Sequence, residues 1–318
     1  MTLNIAVVIP CYRVRHHILD VLERIGPAVS HIVVIDDACP EMSGKWVQEN
    51  NHDARVQVLF HETNRGVGAA VMTGYRAAIA SGADILVKID GDGQMDPTLI
   101  ERFVRPIARG QADYTKGNRF YDLTHLGQMP AVRLIGNAVL SFMAKMSTGY
   151  WNIFDITNGY TAIHAKVVEL IPLDKVSTRY FFETDILFRL NLVRALVVDI
   201  PMDARYADES SSMRIGRIAG EFLLKHVRNF SKRIFYNYFL RDMSVASLEL
   251  LIGLGMLIFG VIFGVSQWMH SWQTGIGAPL GTVMLAALPT MLGIQLLLAF
   301  VGFDVANTPR RAVHPDLV

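Results

Sequence analysis

Cysteine is scarce: Cys11 and Cys39 are the only two in 318 residues. That is too few for a disulfide-built fold or a cysteine zinc site, and it makes a reduced compartment the default. An excess of either charge is also missing. Lys and Arg number 30 against 29 Asp and Glu, a formal net charge of +1, so no long-range field gathers nucleic acid and none is expected as a partner. Tandem repeats and low-complexity tracts are absent, and apolar residues run through the whole chain, which excludes disorder. There is no Gly-x-x-x-x-Gly-Lys-Ser/Thr, which removes P-loop ATPases. Gly66-Val67-Gly68 lacks the third glycine of a dinucleotide fingerprint and follows the third apolar run, which removes NAD.

What the chain has in plenty is apolar surface: 51% of residues are hydrophobic and only 19% charged. The excess gathers near the C-terminus, where residues 250–269 and 276–303 contain no Asp, Glu, Lys or Arg. Each run is long enough to cross a bilayer as a helix, which takes about 20 apolar residues. Residues 5–10 are too short for a signal-peptide core, so the first domain is expected to remain in the cytoplasm. Basic residues flank the spans on one side only. Arg214, Arg217, Lys225, Arg228, Lys232, Arg233 and Arg241 precede the first, Arg310 and Arg311 follow the second, and the connection 266–278 has none. This bias predicts a cell-membrane hairpin of two spans with the first domain and both termini cytoplasmic, and Trp268 and Trp272 at the far interface. Ahead of it, Ile215, Ile218, Phe222, Val227, Phe230, Ile234 and Tyr238 recur at helical spacing among basic residues, an amphipathic helix suited to an anionic membrane face. Gly260 and Gly264 form one small-xxx-small pair that serves either hairpin packing or a homo-oligomer contact.

Residues 1–212 read as the cytosolic domain, 213–243 as the juxtamembrane segment, 244–304 as the two spans and 305–318 as a cytosolic tail. In the first domain, strands are expected at 4–9, 31–35, 56–61 and 84–90, with helices at 14–25, 43–50 and 67–80. This is the βαβα order of a mostly parallel α/β sheet. Such sheets bind ligands beyond the carboxyl ends of their strands. Those ends carry Pro10-Cys11-Tyr12, Asp36-Asp37, Asn64-Arg65-Gly66 and Asp90-Gly91-Asp92-Gly93-Gln94. A tight Gly-containing turn lets Asp90 and Asp92 meet one hard cation, with the Gln94 amide oxygen as a third ligand. Mg²⁺ or Mn²⁺, keeping positions open for diphosphate oxygens, is the natural occupant.

Taken in order, Ile9-Pro10-Cys11-Tyr12, Val34-Ile35-Asp36-Asp37, Asn64-Arg65-Gly66-Val67-Gly68-Ala69-Ala70 and Asp90-Gly91-Asp92-Gly93-Gln94 resemble a family 2 glycosyltransferase of GT-A (Rossmann-like) fold. More narrowly, the chain resembles the dolichyl- or polyprenyl-phosphate glycosyltransferases, some of which carry C-terminal membrane helices. The motifs cover residues 3–215. By that resemblance Pro10, Tyr12 and Asp37, with Gly66, would hold the donor nucleotide, and Asp90, Asp92 and Gln94 the metal on its diphosphate. Two departures stand out: Val14 occupies a position where many relatives carry an acid, and Asp36-Asp37-Ala38-Cys39 lacks the Gly-Ser that often follows the paired acids. Lys116-Gly117-Asn118-Arg119, Arg133 with Asn137, and Arg205 before Ser210 to Ser212 resemble the family's basic positions around acceptor phosphate and donor diphosphate. Residues 155–160 resemble its strand to the sugar pocket. Phe182-Glu183-Thr184-Asp185 resembles its acidic helix start, which makes Asp185 a catalytic candidate beside Asp92, Arg119, Arg133 and Arg205.

A hydroxyl nucleophile needs a base, whereas a polyprenyl phosphate is already ionised and attacks directly. The resemblance therefore implies inverting transfer of a hexose from a UDP- or GDP-sugar to a polyprenyl phosphate at the cytoplasmic membrane face. Two other readings stay open: a glycosyltransferase with a saccharide hydroxyl as acceptor, and a non-catalytic lipid- or nucleotide-binding scaffold. The Gln-x-x-Arg-Trp of processive relatives does not occur.

Overall fold

The structure, a computed structural model, describes residues 3–121, 131–203 and 215–317, with side chains throughout except at 131–135, 137 and 215–219. It divides into two compact units: Met1–Phe230 with Pro309–Val318, and Ser231–Thr308.

The first unit is built on seven strands: β1 (Ile5–Cys11), β2 (His31–Asp36), β3 (Val56–Phe60), β4 (Ile85–Lys88), β5 (Tyr114–Asn118), β6 (Thr161–His164) and β7 (Val197–Pro201). They lie in the order β3-β2-β1-β4-β6-β5-β7, with β6 antiparallel to both of its neighbours. The register is regular, Val8 facing Val33 and Lys88 across β1. Alternate residues point to opposite faces. Val8, Val33, Ile35 and Leu86 join one buried cluster with α3 (Val67–Ala80), while Val7, Ile9, Ile32 and Val34 join another with α1 (Ile18–Glu23), α2 (Ser43–Asn50) and α4 (Ile100–Ala108). Each such side chain contributes about 1.5–3 kcal/mol by leaving water. The expected α/β sheet is present. Helix α1 begins four residues later than the sequence predicts, because residues 15–17 form a turn. The segment 155–160, expected as a strand, forms turns, and the strand starts at Thr161.

Helices α5 (Ala131–Thr148), α6 (Ala165–Glu169) and α7 (Phe182–Leu192) complete this unit together with the first part of α8 (Ile215–Phe235). His226 of α8 meets Ser147 at 2.8 Å, and its ring packs edge-on against Phe181. Burial pushes the His226 pKa down to about 4. The C-terminal residues also belong here. Fully buried Asp113, just before β5, accepts hydrogen bonds from the Val313 and His314 amides at 2.9–3.0 Å, lies 2.7 Å from His314 Nδ1, and binds the Leu196 amide. His314 stacks on His164 at 4.2 Å. Burial, and then His314, lowers the His164 pKa to about 4.

The second unit contains α9 (Val245–Thr274) and α10 (Leu280–Ala306). Only 11% of the residues in each helix's most apolar stretch are buried, which argues against a pair of soluble-core helices. Gly275, left-handed at φ 67°, ends α9. A Cβ on Gly260 would come within 2.4 Å of Thr290 Oγ1, so the small-residue pair packs the hairpin's own helices together. One buried ion pair lay just beyond the apolar run as read from sequence. Asp304 binds Arg233 through both oxygens, at 2.6 and 2.9 Å, and takes the Tyr238 hydroxyl at 2.6 Å. A π-helical turn, Tyr236–Arg241, breaks the chain between α8 and α9.

Candidate active site

Four chain segments emerge side by side at the carboxyl ends of β1, β2, β3 and β4. At the end of β1, Pro10 is paired with Ile35 and Cys11 is buried, and just beyond it Tyr12 is exposed with Arg13 5.5 Å from its ring centre. Burial, with Asp36 and Cys39 nearby, pushes the Cys11 thiol up to about 12, so it stays protonated and inert. The paired acids after β2 are occupied by backbone. Asp36 accepts the Cys39 and Gly44 amides at 2.7 and 2.6 Å. Asp37, 3% exposed, lies 2.7 Å from His61 Nδ1 and accepts the Arg65 and Gly66 amides at 2.9 and 2.7 Å. Asp37 thus shapes the loop between β3 and α3.

Gly66 and Gly68 have a packing reason. Gly66 sits at φ +95°, and an added Cβ would lie 2.5 Å from the Thr178 carbonyl oxygen. At Gly68 the Ser177 carbonyl would be 2.3 Å away. The glycines admit the 177–182 segment, and the Gly66 amide is spent on Asp37.

The turn after β4 holds the metal candidates. Asp92 accepts the Gln94 amide at 3.0 Å, and Gly93 takes φ +78°. Asp96 caps the next turn, accepting from the Thr98 amide and hydroxyl with Pro97 at the first position. Asp90 is a third exposed, and its Oδ1 is 2.8 Å from the ammonium of Lys88, which is buried at 2% exposure. Gly159 faces this pair: a Cβ there would lie 2.4 Å from Lys88 Nζ and 2.9 Å from Asp90 Oδ2. Two carboxylates and an amide are hard oxygen donors and fit Mg²⁺ or Mn²⁺. Among the described residues no three His, Cys, Asp or Glu side chains cluster as a metal cage. A cation here would keep positions for substrate oxygens.

Beneath the turn lies a charged layer. Lys116 of β5 is fully buried and donates to the Asn158 carbonyl. Burial lowers its pKa, and Glu183 and Asp155 oppose that shift. Glu183, in the first turn of α7, is pushed up by burial and pulled back by Lys88 and Lys116. Arg119 grips Asp155 with two nitrogens, at 2.7 and 3.1 Å. Burial raises the Asp155 pKa, but Arg119 and then Lys116 outweigh it and hold the carboxyl below its usual range. Asp199 accepts from Asn118 and the Phe154 amide, and burial raises its pKa.

Asp185 belongs elsewhere. Its oxygens accept the Ser177 amide, Arg189 and Asn229 of α8, at 2.9 to 3.3 Å, and the residue is 4% exposed. These contacts join α7 to α8 and to the segment at Ser177, and the acid of that helix start that interacts with Lys88 is Glu183. The pattern Glu-x-Asp at a helix start cannot reveal which acid meets Lys88, since the two point about 200° apart around the helix. Arg205 and Ser210 to Ser212 lie outside the described residues, and so do the side chains of Arg133 and Asn137.

Comparison with known proteins gives this geometry its class. The family model described as glycosyl transferase family 2 matches residues 6–171. The chain belongs to glycosyl transferase family 2. It is 29% identical over 230 residues to an undecaprenyl-phosphate mannosyltransferase of Micrococcus luteus, covering 71% of this chain and 93% of the relative. It is 26% identical over 220 residues to a UDP-N-acetylglucosamine–dolichyl-phosphate N-acetylglucosaminyltransferase of Methanococcus voltae, covering 65% and 87%. A glucosyl-3-phosphoglycerate synthase of Mycobacterium tuberculosis, solved with Mn²⁺, UDP-glucose and phosphoglyceric acid, shares the fold at a TM-score of 0.54 and 16% identity, covering 72% of this chain and 79% of that one. The sheet is therefore GT-A-like and the protein a glycosyltransferase.

Proposed function

We propose that the protein transfers a hexose from a UDP- or GDP-sugar to a polyprenyl phosphate at the cytoplasmic face of a membrane, with inversion. One observation carries the reading. A turn of hard-oxygen ligands, Asp90, Asp92 and Gln94, sits at the carboxyl edge of a glycosyltransferase sheet, in a chain that also has two helices long and apolar enough to cross a membrane. The two relatives support it by agreeing on the acceptor's chemistry, a polyprenyl or dolichyl phosphate, while differing in sugar.

In this reaction a phosphate oxygen of the acceptor forms a bond to the anomeric carbon as the bond from that carbon to the diphosphate breaks, and the nucleoside diphosphate leaves with the electron pair. A single in-line displacement inverts the carbon. The second pKa of a phosphate monoester is about 6, so the nucleophile is ionised near neutral pH and needs no general base. That removes the need for Asp185 to take a proton. Asp90, Asp92 and Gln94 would hold a divalent cation, which would supply positive charge to the leaving diphosphate. Arg119, fixed by Asp155, offers a planar guanidinium to phosphate oxygens, as Arg133 and Arg205 do in the same reading. Tyr12 and Pro10 line the donor's base, and Asp37 supports that site through the loop it shapes. Residues 1–212 form the catalytic domain, 213–243 the interfacial segment, 244–304 the hairpin and 305–318 the tail.

The membrane topology follows the same logic. Residues up to 230 and from 309 onward belong to one folded unit, which supports a reading with both hairpin ends on one side of the membrane. The basic bias makes that side cytoplasmic. The acceptor class is tested by offering a polyprenyl phosphate and the matching polyprenol with the same labelled donors. Sugar is expected on the phosphate alone, and equal transfer to the alcohol would overturn the reading.

A further inference from the structure

Lys88 sits where a central strand ordinarily places an apolar side chain. β4 lies between β1 and β6, its neighbours Ile85, Leu86 and Val87 are buried, and Lys88 is 2% exposed. An ammonium in that position costs several kcal/mol unless it is paired. It is paired with a metal candidate: Nζ lies 2.8 Å from Asp90 Oδ1. Phe182 closes another side, its ring centre 5.6 Å away, and Gly159 leaves the room the ammonium occupies. Glu183 and Lys116 interact with each other and with Lys88 in the same layer.

We propose that Lys88 is a positioning residue that serves as the resident counter-cation of Asp90, so that a divalent metal binds weakly until a nucleoside diphosphate brings its own negative charge. The proposal rests on the metal reading above and adds an order of events to it. A metal ion and Lys88 share one carboxylate, and two cations there repel each other. A diphosphate offsets that repulsion, which couples metal binding to donor binding and keeps the site from filling with metal alone.

The test uses the full chain in detergent micelles, with free Mn²⁺ followed by its electron paramagnetic resonance signal, alone and with UDP or GDP. Wild type is expected to bind Mn²⁺ weakly alone and more tightly with one of the nucleotides. Lys88→Met is expected to bind Mn²⁺ alone about tenfold more tightly, a fraction of the unscreened repulsion, and to gain less from the nucleotide. Lys88→Gln keeps a hydrogen-bond donor for Asp90 without the charge, and it is expected to follow Lys88→Met. It carries the test if Lys88→Met does not fold. Mn²⁺ affinity of the charge-free variants equal to or below that of wild type overturns the proposal, as does Lys88→Gln behaving like wild type beside a tighter Lys88→Met. Wild type that binds no Mn²⁺ with either nucleotide overturns the metal reading itself, a separate result.

Discussion

Asp92 and Gly68 are short of alternatives for different reasons. Asp92 is a proposed metal ligand in a turn whose geometry its own side chain sets, through the Gln94 amide. Asp92→Asn is expected to cut sugar transfer by about a hundredfold at limiting metal, the scale on which disturbed metal sites lose activity, and to leave thermal unfolding near wild type. Unchanged transfer at low Mn²⁺ would remove Asp92 from the metal site. Gly68 is fixed by space, since an added methyl would lie 2.3 Å from the Ser177 carbonyl oxygen. Gly68→Ala is expected to cost about 1–3 kcal/mol as overpacking, read as a lower midpoint in denaturant. At this scale the Asp90-Gly91-Asp92-Gly93-Gln94 turn is legible in sequence, because its spacing and its place after an apolar run are local facts. The partnership of Lys88 with Asp90 is also local, yet a lysine inside a strand gives no sign that it is buried until β1 and β6 enclose it. Glu183 stands 93 residues from Asp90, and only the fold brings the two together.

Elements tell a similar story. The first three helices and four strands follow from alternating apolar runs and intervening helical patterns, and they are where the sequence places them, within a few residues. β5, by contrast, reads Tyr-Thr-Lys-Gly-Asn, a polar string that is nonetheless buried throughout. Its charge is satisfied by the Asn158 carbonyl and by acids from other segments, none of which lies within a helix turn of it in sequence. The docking of the tail on Asp113 was equally hidden, since the contact spans about two hundred residues. Asp113→Ala is expected to release the tail, read as faster proteolysis after residue 308, with protection equal to wild type counting against the contact.

Two histidines whose pKa values burial lowers give the first unit a pH signature. Both His164 and His226 have folded-state pKa values lowered to about 4, below the unfolded value of about 6.5. Between these values the unfolded chain binds more protons, so stability rises with pH through that window and is lost as pH falls from about 6.5 toward 4. Thermal midpoints are expected to drop over that range, and His226→Asn is expected to flatten the slope. An unaltered slope would show that His226 titrates normally.

At the scale of the molecule, the chain couples a glycosyltransferase fold to a hairpin of helices of 30 and 27 residues. That division is the most legible feature of the sequence, because charge-free runs of about 20 or more apolar residues, such as 250–269 and 276–303, are rare outside lipid. The detailed boundary is less so, since the segment before residue 231 and the tail from 309 pack with the first unit through contacts no hydropathy pattern records. Reporter fusions are expected to place the C-terminus in the cytoplasm and residues 275–279 on the far side, and the reverse pattern would break the topology.

In the proposed reaction the sugar ends on a lipid phosphate. Its most direct measurement incubates the full chain with Mn²⁺ or Mg²⁺, a short polyprenyl phosphate and a panel of labelled UDP- and GDP-sugars, then counts sugar extracted into the organic phase. One donor is expected to label that phase with wild type and not with Asp92→Asn. Label that stays in the aqueous phase for every donor, while nucleotide still binds, would contradict the account.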